Sequence, residues 1–333
     1  MYKHLISVAV LFFCCNTQGF SENDYLNRAE VKQFIDEFSS KNKYPKESLD
    51  DLFKNVSTQT QVLEAIQRPA EKKKNWQEYR KIFITDKRIQ QGLAFWSENA
   101  SILAAAEREY GVPPEIVVAI IGVETFYGRY KGKYPVLDSL VTLGFDYPPR
   151  QKFFRSELEH FLLLAQEEKL DPLAIKGSYA GAMGKSQFIS SSYRHYAVDF
   201  DENGTRDLWG SNEDVIGSVA NYFKRHGWKA DEVVTVPAKV QGKRFKALLE
   251  KGLKPVASVS ELPQYNVTSE YNADTKRAVA LLEFKNNNSE EYWLGFNNFY
   301  VITRYNHSHM YAMAVYQLSQ QIKKDIKDYV VQN

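Results

Sequence analysis

Residues 111–129, GVPPEIVVAIIGVETFYGR, are the stretch on which the fold turns. Pro113 and Pro114 stand where a helix begins, because the first turn has no intrahelical partner for a proline's missing N–H to lose. From Ile116 to Val123 nearly every residue is apolar, so the spacing predicts a helix buried on most of its sides. Glu124 interrupts the run. It stands seven residues from Val117, four from Ile120 and three from Ile121, and shares their face. Gly128, one turn further on, is expected to end the helix. Desolvation and the negative end of the helix dipole both disfavour the charged form of a carboxylate placed here. Both influences raise its pKa, as a general acid working near neutral pH requires. The competing reading is a structural glutamate paired with Arg129 or Arg155.

On the N-terminal side the chain reads as helices. NRAEVKQFIDEFSSK, SLDDLFKNV, TQVLEAIQ and SENASILAAAEREYG each carry apolar residues three or four apart. On the C-terminal side a second helical block runs from Pro113 to about Trp228, and then the texture changes. EVVTVPAKV, VASVSEL, AVALLEF, EYWLGF and FYVITRY are short, β-branched and aromatic, and Gly, Pro and Asn break them. They predict a small β-rich insertion. HMYAMAVYQLSQQIKKDI then reads as a last helix returning to the helical body. No repeat of 20–50 residues is visible, which argues against a solenoid. The fold class is therefore mainly α (α+β). Its expected parts are an N-terminal α-helical region at 20–95, a helical core at 96–230, a β-rich domain at 231–302 and a C-terminal helix at 303–333.

The 333 residues are 44% apolar and 25% charged, as in an ordinary globular protein. A net charge of +2 is too near zero to favour nucleic acid or an acidic membrane surface as partner. The 21 tyrosines and 20 phenylalanines are mostly core, yet a surplus of tyrosine suits a groove apolar on its face and hydrogen-bonding at its edge. The first residues, MYKHLISVAVLFFCCNTQG, place Lys3 before an apolar run from Leu5 to Cys15 that is too short to span a bilayer. They read as a secretory signal over 1–19, cut after Gly19, for an exported protein. Both cysteines, Cys14 and Cys15, lie in this leader. Lipidation of one of them, anchoring the chain to a membrane, is the rival reading; Phe12 and Phe13 stand where small residues are wanted.

GSYAGAMGKSQF, residues 177–188, holds the Gly-Lys-Ser that ends a phosphate-binding loop. That loop needs a glycine five places before the Gly-Lys pair, and Tyr179 stands there. The preceding EEKLDPLAIKG is charged and proline-interrupted, not a buried strand, so the phosphate reading fails. The glycines need another role: either GAMG lets backbone approach a bulky ligand, or it forms a tight turn.

IIGVETFYGR, GSYAGAMGKSQFISSSY, DLWGSNEDVIGSVANYFKRHGW and TRYNHSHMYAMAV occur in this order. Together, over about residues 76 to 318, they closely resemble the membrane-bound lytic murein transglycosylase B family of peptidoglycan-cleaving enzymes. The resemblance implies a lysozyme-like helical catalytic domain flanked by an N-terminal α domain and a small β domain. It implies cleavage of the β-1,4 bond between N-acetylmuramic acid and N-acetylglucosamine with a 1,6-anhydromuramic end, and it puts the catalytic acid/base on Glu124. It implies Ser178 and Gln187 as residues holding substrate near Glu124. Tyr79, Arg150, Tyr222, Tyr305, Asn306 and Tyr311 also match the family's groove, Arg150 suiting peptide or lactyl carboxylates. Ordinary glycosidases use two carboxylates, whereas this chain shows one strongly placed acid. Assistance by the substrate's own N-acetyl oxygen removes the need for a second.

DFDENGTRDLWG, residues 199–210, has EF-hand rhythm: Asp199, Asp201, Asn203, Thr205 and Asp207 fall at ligand positions and Gly204 at the turn. Gly210 stands where a bidentate glutamate belongs; Ser211, Asn212 or Glu213 offers a longer route. The resemblance supports one structural Ca²⁺ here, with no cofactor for catalysis; the alternative is a turn without metal. His307 and His309 look like a metal pair but lack a third ligand. Peptidoglycan strands are the expected partner, together with wall-synthesis or remodelling proteins. Competing functions are a hydrolytic muramidase on the same bond and a non-catalytic peptidoglycan-binding scaffold.

Overall fold

A computed structural model describes residues 25–67, 74–271 and 275–332. The leader expected at 1–19, with Cys14 and Cys15, lies outside the described residues. Two compact units divide between Ser57 and Thr58. In the first, a short 3₁₀ turn leads into α1 (Ala29–Asn42) and α2 (Lys46–Lys54). Phe34, Phe38, Leu49 and Phe53 are buried within it, and the Phe34 ring lies 6.0 Å from Phe38 and 6.2 Å from Phe53. Lys43, in the left-handed region at φ 54°, ends α1 and turns the chain.

The second unit holds α3 (Thr60–Gln67), α4 (Trp76–Phe83), α5 (Asp86–Glu98), α6 (Ala100–Tyr110) and α7 (Pro114–Thr125). A two-residue pair, β1 (Tyr134–Pro135) with β2 (Lys176–Gly177), brackets α8 (Val136–Asp146) and α9 (Gln151–Glu167). Then come α10 (Ser190–Tyr196) and α11 (Asn212–Arg225). The sheet region follows, with β3 (Thr235–Val240), α12 (Lys246–Leu249), β4 (Ala257–Ser258), β5 (Val267–Thr268), β6 (Ala278–Lys285) and β7 (Glu290–Gly295). Two helices close the chain, α13 (Asn297–Tyr305) and α14 (His309–Gln332). The expected helix over 111–129 is α7, and α14 packs on α4, α5, α7 and α13.

The five strands form one antiparallel sheet in the order β4-β6-β7-β3-β5, with Leu281 opposite Leu294 and Pro237 opposite Trp293. β6 is buried on both faces, which is why its sequence reads as a continuous apolar run. Val279 and Leu281 join Phe245, Leu262 and Leu294 in the sheet's own core, whereas Phe284 lies 5.0 Å from the Trp76 ring of α4.

Two boundaries differ from the sequence-based ones. A division after residue 95 would cut through α5. FYVITRY, expected in the β-rich domain ending at 302, is helical as part of α13, with Phe299, Val301 and Ile302 buried. Its β-branched residues favour strand only weakly, and burial against the helical body overrides that preference. VASVSEL also departs, with only Ala257–Ser258 in a strand before a 3₁₀ helix over Val259–Tyr265.

Candidate active site

Every residue of α7 is buried except Glu124, which is half-buried. The helix ends earlier than the glycine at 128 suggested. Phe126 and Tyr127 already occupy the left-handed region, at φ 53° and 59°, ahead of Gly128 at 86°. A non-glycine residue there costs about 1–2 kcal/mol. The reason is packing: the Tyr127 ring folds back onto α7 and its hydroxyl donates to the Arg88 carbonyl at 3.0 Å. A Cβ added at Gly122 or at Gly92 would lie 2.5 Å from that hydroxyl oxygen, so both glycines make room for it. Thr125 ties the helix end to the glycine-rich segment. Its hydroxyl donates to the Lys185 carbonyl at 2.8 Å and accepts the Gly128 N–H at 2.9 Å.

Glu124 meets Tyr311 of α14, whose hydroxyl donates to Oε1 at 2.5 Å. Tyr305, at the end of α13, donates to the Ser186 carbonyl at 2.7 Å. Burial first, and then the Glu124 charge, hold both phenols well above the ordinary tyrosine value, so both remain donors. The arginines of the competing reading have other partners. Arg155 Nε donates to the Gly144 carbonyl at 2.8 Å with its guanidinium 4.4 Å from the Phe145 ring centre, and Arg129 lies over Tyr130 at 5.5 Å.

A groove of about 790 Å³ opens beside this pair, lined by Arg150, Gln187, Tyr222, Tyr305 and Asn306 among others. Phe188, Tyr222 and Tyr305 form an aromatic wall with ring centres 4.8–5.8 Å apart. Phe188 and Tyr222 are themselves buried and Tyr305 is half-buried. The Arg150 guanidinium sits 4.1 Å over Phe153. Gln187, at φ 53°, donates through Nε2 to the carbonyls of Lys131 (3.2 Å) and Gly184 (3.0 Å), which leaves its amide oxygen for a ligand. Ser178 Oγ accepts the N–H groups of Ala180 (3.3 Å) and Ala182 (3.0 Å), so its own O–H is what it can offer. The Tyr222 hydroxyl is taken by the Arg304 carbonyl at 2.6 Å.

Not every expected residue reaches the groove. Glu124, Tyr311 and Ser178 are not in the groove's lining; Tyr305, which is, interacts electrostatically with Glu124 and Tyr311. Tyr79 is 1% exposed, with Trp76 and Phe83 rings at 6.4 and 5.1 Å, and it is near enough to Tyr311 to add to the raising of that phenol's pKa. Sequence reasoning missed Arg304, His195, His226 and His307, which line the same groove. A lone basic residue near a helix end carries no signal of its own. The Tyr222 and His226 rings stack at 4.0 Å.

The glycine-rich segment is a tight turn, which corrects the ligand-approach reading. A Cβ at Gly181 would meet the Leu140 side chain at 2.7 Å and one at Gly184 the Leu208 carbonyl at 2.5 Å, so protein already fills that space. The lysine of Gly-Lys-Ser is structural as well. Lys185 Nζ donates to the Gly210 carbonyl at 2.9 Å and to Asn212 Oδ1 at 2.5 Å, bracing the Asp-rich loop.

That loop brings carboxylate oxygens of Asp199, Asp201 and Asp214 within 4.8 Å of one another. Asp214 was not among the expected ligands, because it lies beyond the twelve positions of the EF-hand pattern. It is fully buried and accepts the N–H groups of Phe200 and Asp207, each at 2.7 Å. Burial raises its pKa against the opposing effect of those bonds, and the Asp201 charge raises it further. Asn203 Oδ1 accepts the Thr205 N–H at 3.0 Å, and Asp207 Oδ1 those of Trp209 (2.8 Å) and Gly210 (2.9 Å), just as Asp199 accepts those of Asn203 (3.0 Å) and Gly204 (2.7 Å). Asp207 lies outside the three-carboxylate cluster. Three hard oxygen donors so close together fit a hard divalent cation. Among the described residues His307 and His309 belong to no such group. His309 lies 5.2 Å from the Phe284 ring.

Comparison with known proteins places the fold and the family. The model of the transglycosylase SLT domain matches residues 27–320. Membrane-bound lytic murein transglycosylase B of Escherichia coli K12 is 42% identical over 308 residues, 90% of this chain and 84% of that one. Soluble lytic transglycosylase SltB1 from Pseudomonas aeruginosa superposes with a TM-score of 0.84 at 49% identity, covering 89% of this chain and 98% of that one. Slt35 of Escherichia coli, solved in complex with calcium, gives 0.82 at 42% identity, covering 92% and 96%. The lysozyme-like, mainly helical fold expected from the sequence is therefore present. Among the described residues no helix is long and apolar enough to cross a membrane. With a half-buried carboxylate and an aromatic groove held in that shared fold, the chain belongs to the SLT-domain family of lytic murein transglycosylases, enzymes that act on peptidoglycan.

Proposed function

We propose that this enzyme cleaves the MurNAc-β-1,4-GlcNAc bond and leaves a 1,6-anhydromuramic end, with Glu124 as its single general acid/base. The observation that carries the reading is that the one residue of α7 not buried is a carboxylate, held by Tyr311 at 2.5 Å beside an aromatic groove. Tyr311 orients the Glu124 carboxyl through its bond to Oε1. Protonated Glu124 gives its proton to the glycosidic oxygen as the bond to C1 breaks, and the substrate's N-acetyl oxygen bonds to C1. Glu124, now ionised, takes the proton of the C6 hydroxyl. The C6 oxygen then bonds to C1 and displaces the acetamido oxygen. No water is consumed. Ser178 and Gln187, on the turn fastened to α7 through Thr125, hold the sugar; Arg150, Tyr222, Tyr305 and Asn306 shape the groove, and Tyr79 lies close to Tyr311.

Mass spectrometry of digested sacculi tests the reaction. New muramyl ends lighter by one water than reducing ends are expected. Reducing ends alone would make the protein a hydrolytic muramidase, and no release by the wild-type protein would make it a binding scaffold.

The Asp-rich loop is assigned one structural Ca²⁺, held by Asp199, Asp201 and Asp214 with help from backbone and neighbouring oxygens. The ion would offset three adjacent carboxylates and brace the loop that Lys185 joins to the glycine-rich turn. Export to the periplasm, with or without a lipid anchor to the outer membrane, suits the peptidoglycan substrate.

A further inference from the structure

Lys185 joins separate parts of the second unit through both its backbone and its side chain. Its N–H donates to the Leu208 carbonyl at 2.7 Å, and its carbonyl accepts the hydroxyl of Thr125, the neighbour of Glu124, at 2.8 Å. Its Nζ donates to the Gly210 carbonyl at 2.9 Å and to Asn212 Oδ1 at 2.5 Å. The stem between these ends passes over Gly128, where an added Cβ would lie 3.0–3.2 Å from Cγ, Cδ and Cε. Asn212 is itself held. Its amide donates to Asn99 Oδ1 at 3.1 Å, and the buried Asn99 donates to the Phe95 carbonyl at 2.7 Å. A continuous set of hydrogen bonds therefore runs from the α5–α6 junction through Asn212 and Lys185 to the end of α7.

The segment 185–187 bears on the site at each residue. Thr125 binds the carbonyl of Lys185, Tyr305 binds that of Ser186, and Gln187 keeps its amide oxygen for a ligand. Burial and then the Lys131 charge lower the pKa of Lys185, while Asp207 and Glu213 act on it through their charge alone. An ammonium lodged where its charge is disfavoured, on two neutral oxygens, serves placement rather than charge pairing.

We propose that Lys185 is a positioning residue for the reaction. Its ammonium fastens segment 185–187 to the Asp-rich loop and to α11, and so sets the sugar held by Gln187 at its working distance from Glu124. The inference rests on the assignment of Glu124 as the acid. Groove residues such as Tyr222 and Asn306 lie outside this clasp, so loosening it should misplace a bound sugar more than it weakens binding.

Lys185→Met keeps the stem over Gly128 and removes the ammonium. Compared with wild type on purified sacculi, kcat should fall about tenfold while KM changes by less than about twofold. Lys185→Cys should be as slow. Its reaction with 2-bromoethylamine rebuilds a side chain of lysine length ending in an amine, and should return most of the lost kcat. Wild type treated alike controls for Cys14 and Cys15. A lowered Tm with kcat unchanged would make the lysine purely structural and overturn the proposal. So would a raised KM with kcat unchanged, or an aminoethylated protein still as slow as Lys185→Cys. Products with reducing ends would defeat the ring-closure reading and leave this comparison valid, because the acid step is common to both reactions. If wild type releases no product, the reaction assignment fails by itself, and the clasp is judged by amide hydrogen exchange. Residues 183–188 should then exchange faster in Lys185→Met than in wild type, and equal exchange overturns the proposal.

Discussion

At the scale of single residues, catalysis is assigned to one carboxyl and the hydroxyl that orients it. Replacing Glu124 by Gln keeps the shape and removes the transferable proton, so kcat should fall by about a thousandfold or more, within the range for a lost general acid/base. The Tyr311→Phe change removes a charge-assisted hydrogen bond worth about 1.5–3 kcal/mol, so kcat should fall about ten- to a hundredfold, with a fall in thermal stability of up to that size beside it. Steady-state kinetics on purified sacculi, with circular dichroism as a folding control, checks both. Glu124 was legible because a lone carboxylate stands out in an apolar helix. Tyr311, Ser178 and Gln187 were named only through family resemblance, since one tyrosine among many is normally core. Asp214 was hidden for a different reason: its partners are backbone N–H groups of a loop whose path the sequence does not disclose.

At the scale of elements, the end of α7 is shaped by a ring rather than by the glycine that follows it. Gly122 and Gly92 admit the Tyr127 side chain, and the left-handed turn that results places Glu124 at the exposed end. Gly122→Ala puts a methyl group into occupied space and should destabilise the fold by about 1–3 kcal/mol. It should also lower kcat by displacing Glu124. Removing the ring as well, in Gly122→Ala/Tyr127→Ala, should lose less than the sum of the two single changes. Urea unfolding of the four proteins measures this. Periodicity disclosed helices such as α1, α2 and α7 because each buries a regular set of positions. It failed at α13, where the β-branched stretch 301–303 is helical because its burial comes from distant residues.

At the scale of the whole molecule, histidine ionisation opposes folding in acid. His160, His226, His307 and His309 all have pKa values lowered, chiefly by burial. Their folded values lie below the unfolded value of about 6.5. The unfolded chain therefore binds more protons as the pH drops through that value, and stability present above it is lost. Thermal melts from pH 8 to pH 5 should show a falling Tm, and His309→Gln should flatten the fall. Calcium acts on the same scale. Ca²⁺ should raise Tm by several degrees and a chelator should reverse it, as for a ligand that binds only the native state, and Asp199→Ala should abolish the response. The mainly helical body and late β insertion were readable from texture along the chain. The division at 57/58 was not, because compact units are defined by contacts and not by local composition. The central claim, a single carboxyl that closes an anhydro ring without water, is tested most directly by digesting sacculi in heavy-oxygen water. New muramyl ends free of the heavy isotope are expected; ends that carry it would show water attacking C1 and would contradict the account.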